Sequence, residues 1–280
     1  MAKEALKAGW LGACRRMVEA HRVLFETERG IAERTVYDGV GEGGDRTLVI
    51  DRRAEDAVFE ELEALHGEGN TFTAISEERG RVPFGDDDSV LVVIDPIDGS
   101  LNARRMLPAH ALSVAVASGP AMADVEFGFV YDFGANEEFS ARRGEGATAN
   151  GETLAAEGPG YGLEVVGLEA TKPERIVPML RELEGRAYRI RALGSIALSV
   201  CNIAGGRFDG FLTARGCRSV DVAAAQLIAI EAGAALEFGE IAREDASLDL
   251  DARYHVTAAL DSEMLAELRP AQALADPIQT

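Results

Sequence analysis

Between positions 4 and 28 the inward-facing character recurs every three or four residues, at Leu6, Trp10, Ala13, Cys14, Met17, Val18, His21, Leu24 and Phe25. That spacing predicts an amphipathic helix. A second helix is predicted over 51–65, with Ala54, Ala57, Val58, Leu62 and Leu65 on one stripe. Between the two, Gly39 to Asp45 (Gly-Val-Gly-Glu-Gly-Gly-Asp) reads as a flexible loop. Residues 71–76 read as a strand running into Glu77-Glu78. The run Val90-Leu91-Val92-Val93-Ile94 is apolar without interruption, the pattern of a strand covered on both faces. It ends at Pro96, which has no N–H to give to a ladder.

Shorter strand-like runs follow at 112–117, 125–131 and 138–141, separated by Gly, Pro and Asn, which predicts an antiparallel meander. Residues 144–151 (Gly-Glu-Gly-Ala-Thr-Ala-Asn-Gly) read as loops and a tight turn. A domain boundary is placed there, giving an N-terminal α+β domain (1–148) and a C-terminal α/β domain (149–280). The second half alternates: strand 163–168, helix 172–183, strand 188–190, helix 195–204, strand 208–213, helix 222–232. Such βα alternation predicts an α/β layer. Residues 270–280 read as a loosely held tail.

With 280 residues, 47% of them hydrophobic, the chain can bury a large core. No window approaches the ~18 consecutive apolar residues of a membrane helix, and Met1-Ala2-Lys3-Glu4-Ala5 lacks the basic-then-apolar start of a secretory signal. Cys14, Cys201 and Cys217 have no pairing or metal-ligand spacing, so reduced, structural thiols in a cytoplasmic protein are expected. The net charge is −20, and only three of the 28 basic residues are lysines. Strong salt screens such self-repulsion, which suggests a halophilic source. The same charge argues against nucleic acid as a partner, since binding phosphates calls for a basic face.

The candidate chemistry lies in acids placed at element ends. Asp95-Pro96-Ile97-Asp98-Gly99-Ser100 puts two carboxylates and a hydroxyl at the tip of the apolar strand. Asp51 opens the second helix, Glu77-Glu78 follows a strand, and Asp221 precedes Val222-Ala223-Ala224-Ala225. Each has a plainer reading alone: Asp51 and Asp221 as N-caps, Asp98-Gly99 as a turn, Glu77-Glu78 as solvated surface. Asp86-Asp87-Asp88 is assigned to solvent. Jointly, hard oxygen donors at this density suit Mg²⁺ and phosphate chemistry, and a dinuclear site needs carboxylates holding two cations roughly 3.5–4 Å apart. His21, His66, His110 and His255 are scattered and are assigned structural or surface roles. There is no nucleophile elbow, P-loop or dinucleotide fingerprint.

In order along the chain stand Thr47-Leu-Val-Ile-Asp51, Ile75-Ser-Glu-Glu78, the Asp95 motif with Asn102 and Pro108, Gly144-Glu-Gly-Ala147 with Asn150-Gly151, Arg191-Ala-Leu-Gly-Ser195, and Val220-Asp-Val-Ala-Ala224. With that set, the chain resembles the inositol monophosphatase family, part of the Mg²⁺-dependent, lithium-sensitive superfamily that includes fructose-1,6-bisphosphatases. Arg215-Gly216 and Val220 resemble its archaeal branch, whose members often accept both inositol-1-phosphate and fructose-1,6-bisphosphate.

The resemblance implies a layered αβαβα sandwich, the sugar phosphatase fold, in a homodimer that hydrolyses a small phosphorylated polyol or sugar. It implies two or three Mg²⁺ per site, held by Glu77, Asp95, Asp98, Asp221 and the Ile97 carbonyl. Asp51 and Ser100, with Thr47, would form the catalytic set that orients and deprotonates water. Gly99, Ser100, Arg191, Ser195 and Arg215 would bind substrate. Lithium or calcium would inhibit by displacing Mg²⁺. Departures from the family pattern are Ala103-Arg104-Arg105, where an aromatic usually follows Asn102, and Ala214-Arg215, where animal members place an acid. Alternatives are a phosphatase of 3′-phosphoadenosine 5′-phosphate, disfavoured by only 6% aromatic residues, and an inactive binding homologue.

Overall fold

The computed structural model describes residues 6–7, 9–40, 46–86, 89–169 and 172–278, with the backbone alone at 37–40 and 46–47. Most of the loop expected at Gly39 to Asp45, and Asp87 and Asp88, lie outside the described residues; Gly39 falls on a strand. The chain runs α1 (Trp10–Thr27), β1 (Tyr37–Val40), β2 (Arg46–Leu48), α2 (Val49–Gly67), β3 (Phe72–Ser76), β4 (Gly80–Phe84), β5 (Leu91–Asp98), α3 (Ser100–Arg105), β6 (Ala111–Ala117), β7 (Val125–Asp132) and β8 (Glu137–Arg142). It continues through β9 (Gly146–Ala149), β10 (Glu152–Leu154), β11 (Val165–Glu169), α4 (Pro173–Glu182), β12 (Arg189–Arg191), α5 (Ile196–Ala204), β13 (Gly210–Thr213), β14 (Cys217–Arg218) and α6 (Ser219–Glu231). The last elements are β15 (Ala235–Glu237), β16 (Arg253–Tyr254), β17 (Thr257–Ala259) and α7 (Ser262–Gln272).

Eight strands form the first sheet, in the order β10-β9-β8-β7-β6-β5-β3-β4. It is antiparallel except where β3 and β5 run together. Alternation along β5 and β6 explains the layering. Val92, Ile94, Leu112, Val114 and Val116 face α1 and α2, meeting Trp10, Met17, Val58 and Leu62. Leu91, Val93, Ala111, Ala115 and Ala117 face α5 and α6, meeting Ala197, Val200, Val220 and Ala224. Small residues on that second face let α6 come close. At Gly128 a β-carbon would lie 2.6 Å from the Ala224 carbonyl.

The second sheet, β12-β11-β13-β17-β15, lies beyond α5 and α6. Phe211 and Ala258 join their core, while Leu168, Leu212 and Ala259 pack with Met179 of α4 and with Leu265 and Leu268 of α7. The order is therefore helix, sheet, helix, sheet, helix, the αβαβα sandwich expected. No helix among the described residues is long and apolar enough to cross a membrane.

Two expectations need correcting. The stretch 144–151 is not only loop: β9 and β10 form a hairpin about Asn150-Gly151, so the first sheet continues to Leu154. The segment from Pro270 is not loose either. Pro270 lies within α7, and the chain beyond it is bonded to α4 and to the end of β13.

Candidate active site

The parallel register of β3 on β5 ends at Ser76 beside Ile94, so Glu77, just past the end of β3, follows on beside Asp95 of β5. On its other edge, β5 slips against β6: Asp95 stands opposite Ser113, but Asp98 opposite Ala111. One extra residue on β5 is thus taken up at Pro96-Ile97, a bulge of the kind that re-aims side chains. It is held from both sides. His21 of α1 places Nε2 3.0 Å from the Pro96 carbonyl, and the Ile97 amide donates to Asp95 Oδ1 at 3.0 Å. Gly99 then turns the chain with φ +89°, and its carbonyl accepts from the Asn102 and Ala103 amides to start α3. A β-carbon at Gly99 would lie 2.8 Å from the Ala109 carbonyl, so the position demands glycine on both counts.

The remaining acids arrive from the other half. Asp221 sits in the first turn of α6 and accepts from the Arg218 amide at 2.7 Å. Asp98 meets the start of α5, where it accepts from Ser195 Oγ and, at 2.7 Å, from the Ala197 amide. Glu169 ends β11 and accepts from the Leu193 and Gly194 amides at 2.8 and 2.9 Å and from Ser199 Oγ at 3.1 Å. Asn102 closes the same junction by donating to the Ala109 and Leu193 carbonyls.

Together these groups line a cavity of about 520 Å³, with Glu77, Asp95, Ile97, Asp98, Gly99, Ser100, Asn102, Glu169, Gly194, Thr213, Arg215, Arg218 and Asp221 on its wall. Burial disfavours the charged form of every acid in it. Asp95 is held well above the usual carboxylate range by burial, reinforced by Glu77, Asp98 and Asp221. Asp98 is pushed to about 8 by burial and Asp221, against the pull of Ser195 and the Ala197 amide. Glu77 is raised to about 7 by burial, opposed by its ion pair with Arg218. Asp221 is raised by burial, opposed chiefly by its bond from the Arg218 amide.

Behind Ser100, Asp51 is buried and raised to about 7, by burial and by Glu78. Its Oδ2 accepts the Leu48 amide at 3.3 Å, while Oδ1 is buried without a hydrogen-bond partner. Ser100 Oγ lies 2.9 Å from the Ile97 carbonyl, and its contact with Asp51 draws that carboxyl's pKa back down.

The donor set is chemically suited to a hard divalent cation: carboxylates and a main-chain carbonyl, all oxygen, in excess of the local positive charge. It is not drawn tight, because Glu77 leans on Arg218 and Asp98 on α5, and among the described residues no three such side chains converge on one point. The structure thus brings Glu77, Asp95, Ile97, Asp98, Gly99, Ser100, Arg215 and Asp221 to one cavity, with Ser195 bonded to Asp98 beneath it. Arg191 is not brought there. It is exposed on β12, its guanidinium bonded to the Ile190 carbonyl. Thr47 lies on β2, and its side chain is outside the described residues. Glu169 was missed, although Val165-Val-Gly-Leu-Glu169 repeats the pattern of an apolar strand ending in an acid, as in Val90 to Asp95.

Comparison with known proteins agrees with this geometry. The chain is 31% identical over 271 residues to the fructose-1,6-bisphosphatase/inositol-1-monophosphatase of Methanothermobacter thermautotrophicus, covering 91% of this chain and 93% of that one. It is 35% identical over 193 residues to the Nus factor SuhB of Pasteurella multocida, covering 66% of this chain and 68% of the relative. The extragenic suppressor protein SuhB of Bartonella henselae superposes with a TM-score of 0.78 over 95% of this chain and 98% of its own, at 24% identity, a likeness of fold. A family model, that of the inositol monophosphatase family, matches residues 6–272. The chain belongs to the inositol monophosphatase family, a family of metal-dependent hydrolases of phosphoric monoesters.

Proposed function

We propose that the chain hydrolyses a small phosphorylated polyol or sugar, inositol-1-phosphate and/or fructose-1,6-bisphosphate, with Mg²⁺ as its metal. The observation that carries this is one cavity walled by Glu77, Asp95, Asp98 and Asp221, drawn from both halves of the chain and all raised in pKa. Such a set is under electrostatic load until cations or protons relieve it. Glu77, Asp95, Asp98, Asp221 and the Ile97 carbonyl would hold Mg²⁺, two or three ions in all. Bound there, Mg²⁺ supplies charge neutralisation for the phosphoryl group and makes water more acidic.

The remaining work falls to the chain's own groups. Asp51 offers an unpartnered buried oxygen and a pKa of about 7, the properties of a base working near neutrality. Ser100, between Asp51 and the cavity, orients the water whose proton Asp51 accepts. The backbone of Gly99 and Ser100 holds phosphate oxygens, and Arg215 faces the far end of the ester. The attack is direct, with no covalent phosphoenzyme.

The reading extends to a homodimer in the cytoplasm of a halophile. Three buried free cysteines and the charge of −20 support the compartment and the salt. Exposed Met106, Leu107 and Val23 offer apolar surface for a second copy. The test is phosphate release from inositol-1-phosphate, fructose-1,6-bisphosphate and 3′-phosphoadenosine 5′-phosphate, with Mg²⁺, in low and in molar KCl. Release from either of the first two is expected. Release from the nucleotide alone, or from none, overturns the proposal.

A further inference from the structure

We propose that the C-terminal segment 272–278 is a strap that positions Arg215, and that it thereby sets the enzyme's preference for substrates carrying a second anionic group. The inference rests on the reading of the cavity as a phosphate-ester site, and it concerns the short loop between β13 and β14. That loop, Ala214-Arg215-Gly216, carries the arginine that lines the cavity and pulls down the pKa of Asp221. An arginine here can meet an anion with directed, charge-assisted bonds only if its backbone is fixed.

The strap makes three successive contacts along the loop. Gln272, buried at the end of α7, donates from Nε2 to the Thr213 carbonyl at 2.8 Å while its Oε1 accepts from Thr257. Four residues on, the Asp276 amide donates to the Ala214 carbonyl at 3.1 Å. Ile278 then lies against Gly216, where a β-carbon would come within 3.2 Å of Ile278 Cγ1. The far end of the strap is tied to α4 by Asp276 and Arg175, 2.9 Å apart. Contacts at Thr213, Ala214 and Gly216, three of the four residues from 213 to 216, skip only Arg215 and leave that side chain to face the cavity. None of the strap residues lines the cavity, so Gln272, Asp276 and Ile278 act through the loop and are positioning residues.

Two variants test this: a chain ending at Leu274, and Asp276→Pro, which removes the amide donor to Ala214 and the partner of Arg175. Each is compared with wild type on fructose-1,6-bisphosphate and on inositol-1-phosphate. The expected result is a rise of about tenfold in KM for the bisphosphate with kcat and the monophosphate KM within about twofold, the loss of one well-placed charged contact. Arg215→Ala should raise the bisphosphate KM at least as much, and combining it with the truncation should add nothing further to that rise. A truncation that merely loosened the fold would raise both KM values together or lower kcat, and that outcome overturns the strap, as does an unchanged bisphosphate KM. If wild type hydrolyses neither ester, the phosphatase reading has failed separately. Calorimetric affinities for the same two esters then carry the comparison, and absent or unsplit affinities overturn the strap as well.

Discussion

Asp98 accepts hydrogen bonds from Ser195 Oγ and from the Ala197 amide, so the last residue of β5 in one sheet is bonded to the start of α5, the helix that lies between that sheet and the other. One carboxylate both faces the cavity and fastens the two halves around it. The start of α5 offers partial positive charge to that carboxylate, yet burial beside Asp221 still keeps its pKa at about 8. The site is built at the expense of the stability of the metal-free protein, and the first two predictions follow from that.

Asp95→Asn should stabilise the metal-free protein while abolishing activity. An amide oxygen can still accept from the Ile97 amide, as Asp95 Oδ1 does at 3.0 Å. It also removes the acid that burial, Glu77, Asp98 and Asp221 jointly oppose. Thermal unfolding in EDTA at pH 8 should move upward, and phosphate release should fall by about 10²-fold or more. A lower unfolding temperature in EDTA would show that the repulsion is not there.

Stability of the metal-free chain should fall as pH rises from about 4 to 8. Asp51 and Glu77 are raised to about 7 and Asp98 to about 8, above their ordinary values of 3.8 and 4.5. The folded state therefore binds more protons than the unfolded chain between those limits, and by linkage its stability decreases with pH there. The contribution is complete below pH about 4 and gone once pH passes the folded values. Mg²⁺ takes the place of the protons, so it should flatten the profile and release protons on binding near pH 7. Calorimetry in two buffers of different ionisation enthalpy measures that release. No buffer dependence would count against cation binding by these carboxylates.

Gly99→Ala should cost about 1–3 kcal/mol from its left-handed backbone alone, and the Ala109 carbonyl 2.8 Å from the new β-carbon adds to that. The displaced turn carries Asp98 and Ser100, so activity should fall more than stability does. Denaturant unfolding and kcat at saturating Mg²⁺ separate the two effects.

The strand carrying Asp95 was legible because an uninterrupted apolar run and a proline leave little choice of structure. Glu77 and Asp221 were legible only through the motifs around them, since nothing in spacing alone shows that β3 runs parallel to β5 or that α6 points at their ends. Arg191 was misplaced for the same reason. Its motif neighbour Ser195 turns inward to Asp98, while Arg191 stays on the exposed edge strand β12. The hairpin of β9 and β10 was hidden by Gly, Ala and Thr, which say little about strand until a neighbouring strand supplies the ladder. The tail after Pro270 reads as unpatterned because main-chain bonds and one buried glutamine hold it, and these leave no periodicity.

Glu169→Ala should damage the enzyme although the residue bears no role in the resemblance. Its carboxylate holds the Leu193 and Gly194 amides and Ser199 Oγ, and Asn102 donates to the Leu193 carbonyl in the same junction. Gly194 walls the cavity and leads directly into Ser195, the donor to Asp98. Removing the carboxylate leaves buried donors without acceptors, a loss of about 1–3 kcal/mol, and frees the start of α5 to move away from Asp98. Phosphate release should drop by about 10- to 100-fold, the scale of losing a group that orients a metal ligand, with Mg²⁺ affinity weakened in parallel. Glu169→Gln retains one acceptor oxygen and should recover part of both. The distance between the Ala and Gln variants therefore measures how much of the site's alignment depends on that oxygen, and equal activities in the two would show that the 193–194 turn holds its place without Glu169.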